Sequence, residues 1–304
     1  MQLEEMEAIL GIDYSASKLQ SVEYDLFRSM QVDVRVKRDD LLHPVISGNK
    51  WRKLKYCIQH AIESGQNHII SMGGTWSNHL HALAYIGKKL NIRTTGLIRG
   101  ENARFDSPTL NDLKAFGMQL HFVSRTEYRK LREYRLYNDP PSITYDGYWI
   151  PEGGASVHAL KGIFELKNEL TTKADYIALA CGTGTTLAGL IPSKIDRYQL
   201  IGIAALKGKS FLEKDIISLN HSHNAGQWSI NHDYPFGGFA KTTSELNNFT
   251  EQFKNQTGIP IEPVYTGKLF YGLVDMLRNN FFRQDSKIIV IHTGGLQGNR
   301  SVNN

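Results

Sequence analysis

Lys50 stands in the run His43-Pro-Val-Ile-Ser-Gly-Asn-Lys50-Trp-Arg-Lys-Leu-Lys-Tyr, at the first turn of an expected helix, just after a glycine and a potential Asn49 cap. An ammonium is disfavoured near the positive end of a helix, which lowers a lysine's pKa and suits an amine that must attack an aldehyde. Such a lysine can form a Schiff base. Lys53 and Lys55 read instead as surface residues with snorkelling stems. A second candidate is Cys181-Gly-Thr-Gly-Thr-Thr-Leu-Ala-Gly, which follows a short apolar strand and opens a helix. Its amides and hydroxyls can converge on a phosphate. The run is not GxxxxGK[ST], and it lacks the third glycine and downstream acid of a dinucleotide site. A single phosphate suits it better, although alone it reads equally as a tight turn holding nothing. The third candidate is Ser71-Met-Gly-Gly-Thr-Trp-Ser77-Asn78-His79-Leu-His81. Ser77 and Asn78 either cap a helix or offer donors to a substrate carboxylate, and spacing alone does not choose.

These runs must be positioned by regular elements. Strands are expected at 32–36, 68–72, 95–98, 119–123, 148–151, 176–180, 200–204 and 287–292, with helices at 51–63, 78–90, 109–116, 159–170 and 242–253. Alternation of this kind is the pattern of a layered α/β fold with a largely parallel sheet. SMGG, ALACGTG and VIHTGG read as glycine turns at strand carboxyl ends, where open α/β sheets gather ligands. Three such turns suggest one composite site. The chain has 304 residues, enough for two domains or one large one.

Apolar residues make up 41% of the chain, which excludes general disorder. The net charge of +5 requires neither nucleic acid nor membrane as partner. Between Lys50 and Arg99 there are eight basic residues against one acid, Glu63, so an anionic ligand is expected nearby. The segment RTEYRKLREYRLY at 125–137 could bind nucleic acid, but Glu127 and Glu133 at helical spacings make a solvated helix face the better reading. Residues 221–232 read as a long loop or plain surface, and His221 and His223 lack the neighbouring acids that would argue for a metal. With only Cys57 and Cys181, far apart, a disulfide framework is not supported. The acidic start and the lack of an apolar run of about 18 residues point to a cytoplasmic protein.

Six motifs in order, GNKWRKLKY, GGTWSNHLHALA, PEGGAS, ACGTGTTLAGL, PVYTGK and HTGGLQG, resemble the pyridoxal-phosphate-dependent family of 1-aminocyclopropane-1-carboxylate deaminases and D-cysteine desulfhydrases. They span about residues 40–298, nearly the whole chain. The resemblance implies an α/β fold of type II, as in the tryptophan synthase β chain. It implies a large cofactor-binding domain from 1–52 and 157–304, a small inserted domain at 53–156, and a homodimer. Lys50 would carry the cofactor as a Schiff base, with Asn78 beside its phenolic oxygen. Gly182, Thr183, Gly184, Thr185 and Thr186 would hold the phosphate. Ser77 would face the substrate carboxylate or move a proton, with His79 also at the substrate. Tyr265 would lie in the active site, Thr266 near the pyridine nitrogen and Thr293 beside them.

The two branches of this family differ at Thr266. The cyclopropane deaminases carry Tyr-Glu in this motif, and the D-cysteine enzymes carry Tyr-Thr, as this chain does. A carboxylate would keep the ring nitrogen protonated and strengthen the electron sink, whereas a threonine leaves it largely neutral. Opening an unactivated cyclopropane needs the stronger sink, while a thiolate is already a good leaving group. The expectation is therefore β-elimination from a small amino acid, giving 2-oxo acid, ammonia and sulfide. Two departures bear on the substrate: Phe239 stands where a second tyrosine is usual, and Trp76 where glutamine is common. The rival readings are cyclopropane deamination, cofactor binding without turnover and, on the 125–135 segment alone, nucleic-acid binding.

Overall fold

The computed structural model describes residues 1–100, 107–136, 146–191, 198–208, 211–220, 227–238 and 241–301. In chain order, α1 (Leu3–Leu10) is followed by β1 (Leu19–Ser21), α2 (Asp25–Ser29), β2 (Asp33–Lys37), α3 (Asn49–Glu63), β3 (His68–Gly73), α4 (Asn78–Leu90) and β4 (Arg93–Arg99). Next come α5 (Pro108–Ala115), β5 (Gln119–Val123), α6 (Arg125–Leu131) and β6 (Tyr148–Ile150). The remainder is α7 (Val157–Phe164), α8 (Leu166–Glu169), β7 (Tyr176–Cys181), α9 (Thr185–Leu190), β8 (Gln199–Ala204), α10 (Phe211–Asn220), β9 (Trp228–Asn231), α11 (Ser244–Thr257), α12 (Thr266–Arg278) and β10 (Lys287–Ile291).

Two sheets form. One has the strand order β1-β2-β10-β7-β8-β9 and the other β5-β4-β3-β6. Among the described residues every pairing is parallel except β1 with β2. Because side chains alternate along a strand, a sheet covered on both faces needs apolar residues at successive positions. β7 meets that demand with six buried residues, YIALAC. Ala178 and Ala180 join Val290, Ile201 and Ile203 against Leu269, Phe270 and Leu273 of α12. Ile177, Leu179 and Cys181 face the other way, with Ile289 and Ile291, against Leu187 of α9 and Leu212 and Ile216 of α10. The smaller sheet repeats the arrangement. Ile70, Met72, Leu97 and Trp149 pack on Tyr128 and Leu131 of α6, while Ile69, Ile98 and Ile150 pack on α3 and α4. Each sheet is thus the middle of three layers.

The structure corrects several expectations. Residues 228–231 are strand β9 at the edge of the larger sheet, not loop, and α12, with two glycines in its sequence, is a 13-residue helix that the pattern did not reveal. His221 and His223 lie outside the described residues. Lys53 and Lys55 are not surface residues: they are 6% and 3% exposed, because α3 is covered by α4 on one side and α7 on the other. Lys55 pairs with Glu165, and Arg52, fully buried, pairs with Asp39 and Glu169. Two of the eight basic residues at 50–99 are thus paired with acids inside the fold. The 125–137 segment does start as a helix with an exposed face, but Tyr128 and Leu131 are buried and Tyr128 donates to Glu152.

Candidate active site

The start of α3 is fixed before its lysine is. Gly48, at φ 65°, is the N-cap residue, not Asn49, and a Cβ there would stand 1.9 Å from the carbonyl oxygen of Thr293. Only glycine permits both the conformation and the approach. Gly48 N donates to Asp39 O at 3.0 Å and Asn49 N to Thr293 O at 3.3 Å. The Asp39 carboxylate also takes Arg52 Nε at 2.8 Å and Nη2 at 2.9 Å, so the first turn is held by backbone and by a buried ion pair. Lys50 follows, partly buried, with Nζ donating to Asn49 Oδ1 at 2.7 Å. Burial pushes its pKa down to about 8, against the upward pull of Glu262. Asn49 Nδ2 in turn donates to Thr186 Oγ1 at 2.7 Å.

That contact reaches the glycine turn after β7. Gly184, at φ 74°, caps α9, and the hydroxyls of Thr183 and Thr185 share a 3.0 Å hydrogen bond. Thr185 and Thr186 are buried. The ring of Tyr265 lies on this turn: a Cβ on Gly182 would meet Tyr265 Cε1 at 3.0 Å.

At the third turn, Ser77 does cap α4, its Oγ accepting from Leu80 N at 3.2 Å. Asn78 begins the helix, buried, with its Nδ2 2.7 Å from where a Cβ on Gly295 would stand, so SMGGTWSN and HTGG meet. His79 Nε2 shares a 2.8 Å hydrogen bond with Ser71 Oγ. Its Nδ1 is buried without a partner among the described residues. Burial, with the charges of Lys53 and Lys50, pushes its pKa down to about 3 and keeps the ring neutral.

The fourth wall is the start of α12. Glu262, fully buried, accepts from the amides of Val264, Tyr265 and Thr266, each at 2.7 Å. Burial pushes its pKa up to about 7, and those amide donors pull it back. The Thr266 hydroxyl accepts from Glu262 N at 2.9 Å and lies 3.3 Å from Glu262 Oε1. The Tyr265 phenol is raised above its ordinary range by burial, with Glu262 and Glu152 adding to the effect.

An amine of lowered pKa, a glycine-threonine turn and a buried carboxylate thus meet at the carboxyl ends of two sheets. The family model for "Pyridoxal-phosphate dependent enzyme" matches residues 22–294. The chain belongs to this pyridoxal-phosphate dependent enzyme family. Among its relatives is the "Bifunctional D-cysteine desulfhydrase/1-aminocyclopropane-1-carboxylate deaminase, mitochondrial" of Arabidopsis thaliana, 29% identical over 86% of this chain and 72% of that protein. The D-cysteine desulfhydrase of Salmonella typhi is 25% identical over 86% of this chain and 87% of its own. A crystal structure described as an "ACC deaminase homologue" superposes with a TM-score of 0.77 at 29% identity, covering 98% of this chain and 96% of that one. The α/β layers are those of fold type II pyridoxal-phosphate enzymes, and the cofactor is pyridoxal phosphate.

The residues present fit that cofactor. Lys50 would supply the amine and the 182–186 turn amides and hydroxyls, and the unpartnered His79 Nδ1 is a buried polar atom available to a bound group. Lys50, Ser77, Asn78, His79, Gly182 to Thr186, Tyr265, Thr266 and Thr293 lie on segments that meet. Phe239 lies outside the described residues. Trp76 is partly exposed in the loop before Ser77. Sequence reasoning missed Glu262 and read Asn49 only as a cap, whereas it links Lys50 to Thr186. The only signal for Glu262 was an acid four residues before Thr266, the helix-capping spacing read backwards.

Proposed function

We propose that this family member is a lyase of the D-cysteine desulfhydrase kind, taking a small amino acid and water to a 2-oxo acid, ammonia and sulfide. The observation that carries the reading is the Tyr265-Thr266 pair at the start of α12, where the Thr266 hydroxyl is engaged by Glu262. No carboxylate side chain occupies position 266 itself, so the strong electron sink that cyclopropane opening demands is not built in there. When bound, pyridoxal phosphate supplies the electron storage for bond cleavage at the α carbon.

The protein's own residues do the rest. Lys50, anchored by Asn49, would hold the cofactor through its amine, and Nζ would take the α proton of the substrate. Its lowered pKa favours the free base this needs. Ser77 and Asn78 bind the substrate carboxylate at the start of α4, and His79, kept neutral, lines the same wall. The 182–186 turn would hold the phosphate, and Thr293 would lie beside the cofactor. Tyr265, un-ionised at neutral pH, would keep its hydroxyl proton beside Gly182 at the edge of the site. The two sheets support a division into 1–52 with 157–304 and an inserted 53–156. A cytoplasmic homodimer that binds no nucleic acid accords with this chemistry. Among the described residues, no helix is long and apolar enough to cross a membrane.

The second reading, 1-aminocyclopropane-1-carboxylate deamination, is favoured by the names of the Arabidopsis relative and the superposed structure. Release of 2-oxo acid from D-cysteine, L-cysteine, β-chloro-D-alanine and the cyclopropane amino acid separates the two. The expected result is turnover of D-cysteine or β-chloro-D-alanine at least about tenfold above the cyclopropane substrate. Efficient ring opening with no activity on D-cysteine would reverse the choice.

A further inference from the structure

Lys268, two residues into α12 from Thr266, is fully buried, and the atoms around its head group are unusual for a lysine. Nζ donates to the backbone carbonyls of Ala205 at 3.0 Å, Pro235 at 2.8 Å and Gly238 at 2.8 Å. An ammonium has three protons, and all three are matched. Among the described residues no carboxylate bonds it. A ring of convergent backbone carbonyls is also the donor set that replaces the hydration shell of an alkali cation.

The cage is not one that its segments would keep unaided. Phe236, Gly237 and Gly238 have φ of 44°, 89° and 112°, three successive residues in the left-handed half of the map. Among the described residues two local hydrogen bonds run through the turn, Gly238 N to Pro235 O at 2.8 Å and a long one from Lys241 N to Gly238 O at 3.3 Å. The carbonyls at its two ends both point at Nζ, where without a cation their dipoles would repel each other. The third carbonyl follows β8, and Ala205 N donates to Cys181 O at 2.9 Å, one residue before the glycine turn that Tyr265 covers. One cation therefore ties the start of α12, the end of β8 and the 235–238 turn together.

We propose that the Lys268 ammonium is a built-in monovalent cation, filling a carbonyl cage that would otherwise take an ion such as K⁺ or NH₄⁺ and holding the 235–238 turn against the end of β8. Burial pushes its pKa down to about 8 while Glu262 pulls it up, so the charged form prevails at neutral pH.

The test is thermal unfolding of the holoprotein in potassium, ammonium, methylammonium and tetramethylammonium chlorides at equal ionic strength. Wild type should melt within about 1 °C in all four, because its cation is covalent. Lys268→Ala should melt lower in tetramethylammonium and regain about 3–6 °C in at least one of the three small cations, which fit the vacated space. Lys268→Met, whose side chain refills that space without charge, should respond to none. A wild type stabilised specifically by potassium would overturn the proposal. So would a Lys268→Ala protein that melts alike in every salt, or one that folds in none of them while Lys268→Met folds.

Discussion

Asn49 donates from Nδ2 to Oγ1 of Thr186 at 2.7 Å, and the same side chain accepts from Lys50 at Oδ1. The residue before Lys50 is thereby bonded to the turn that, in the proposed function, takes the phosphate. Amine and phosphate site cannot drift apart without breaking this bridge. Asn49→Ala should weaken cofactor binding about tenfold, the equivalent of one lost net hydrogen bond of about 1.4 kcal/mol. Titration of apoprotein with pyridoxal phosphate checks it, and an unchanged dissociation constant would show that the bridge is incidental.

Arg52 lies two residues beyond Lys50 and holds Asp39 and Glu169 in a buried cluster with Lys37. Removing one partner of a buried pair strands the other charges, which costs about 3–5 kcal/mol. Arg52→Met should show a loss of that size in urea unfolding, and Lys53→Met a much smaller one. Equal, small losses in both would mean that the cluster does not fix the start of α3.

The lowered pKa of Lys50 sets a pH dependence. Burial disfavours the ammonium, so the free amine fraction rises as pH climbs through about 8. Covalent capture of pyridoxal phosphate by the apoprotein should speed up from acidic pH and flatten above the same midpoint. An ordinary lysine, with a pKa of about 10.4, would still be gaining rate beyond pH 9 or so. Stopped-flow absorbance across this range distinguishes the two.

Ser77 both caps α4 and, in the proposed function, meets the substrate. Ser77→Ala should cost about 1 kcal/mol of stability through the lost cap. It should also lower turnover by about 100-fold, beyond what a cap explains. Ser77→Asn restores a capping acceptor but not the hydroxyl. Recovery of stability without recovery of turnover is expected; recovery of both would leave Ser77 a cap alone.

The residues that carried most information in the sequence were those whose environment is local. Lys50 after Gly48, the 182–186 turn after an apolar strand and Ser77 before α4 each announce themselves within a few positions. Glu262 and Lys268 do not, because their partners are backbone atoms. Those of Glu262 are the amides of a helix start hidden by two glycines, and the Lys268 carbonyls lie 30 to 63 residues away. Lys53 and Lys55 misled for a related reason: a helix covered on two sides buries residues that a one-sided amphipathic pattern assigns to solvent. Strand β9 escaped notice since four residues are too few to establish alternation, although Trp228 and Ile230 pack together on the core of the larger sheet.

The central claim is that Lys50, positioned by Asn49 and the buried Arg52–Asp39 pair, carries the cofactor. Borohydride reduction of the holoprotein followed by peptide mapping tests it most directly. The account predicts a single pyridoxyl adduct, on Lys50, absent from Lys50→Ala. An adduct on Lys53, Lys55 or Lys161 in its place would contradict it.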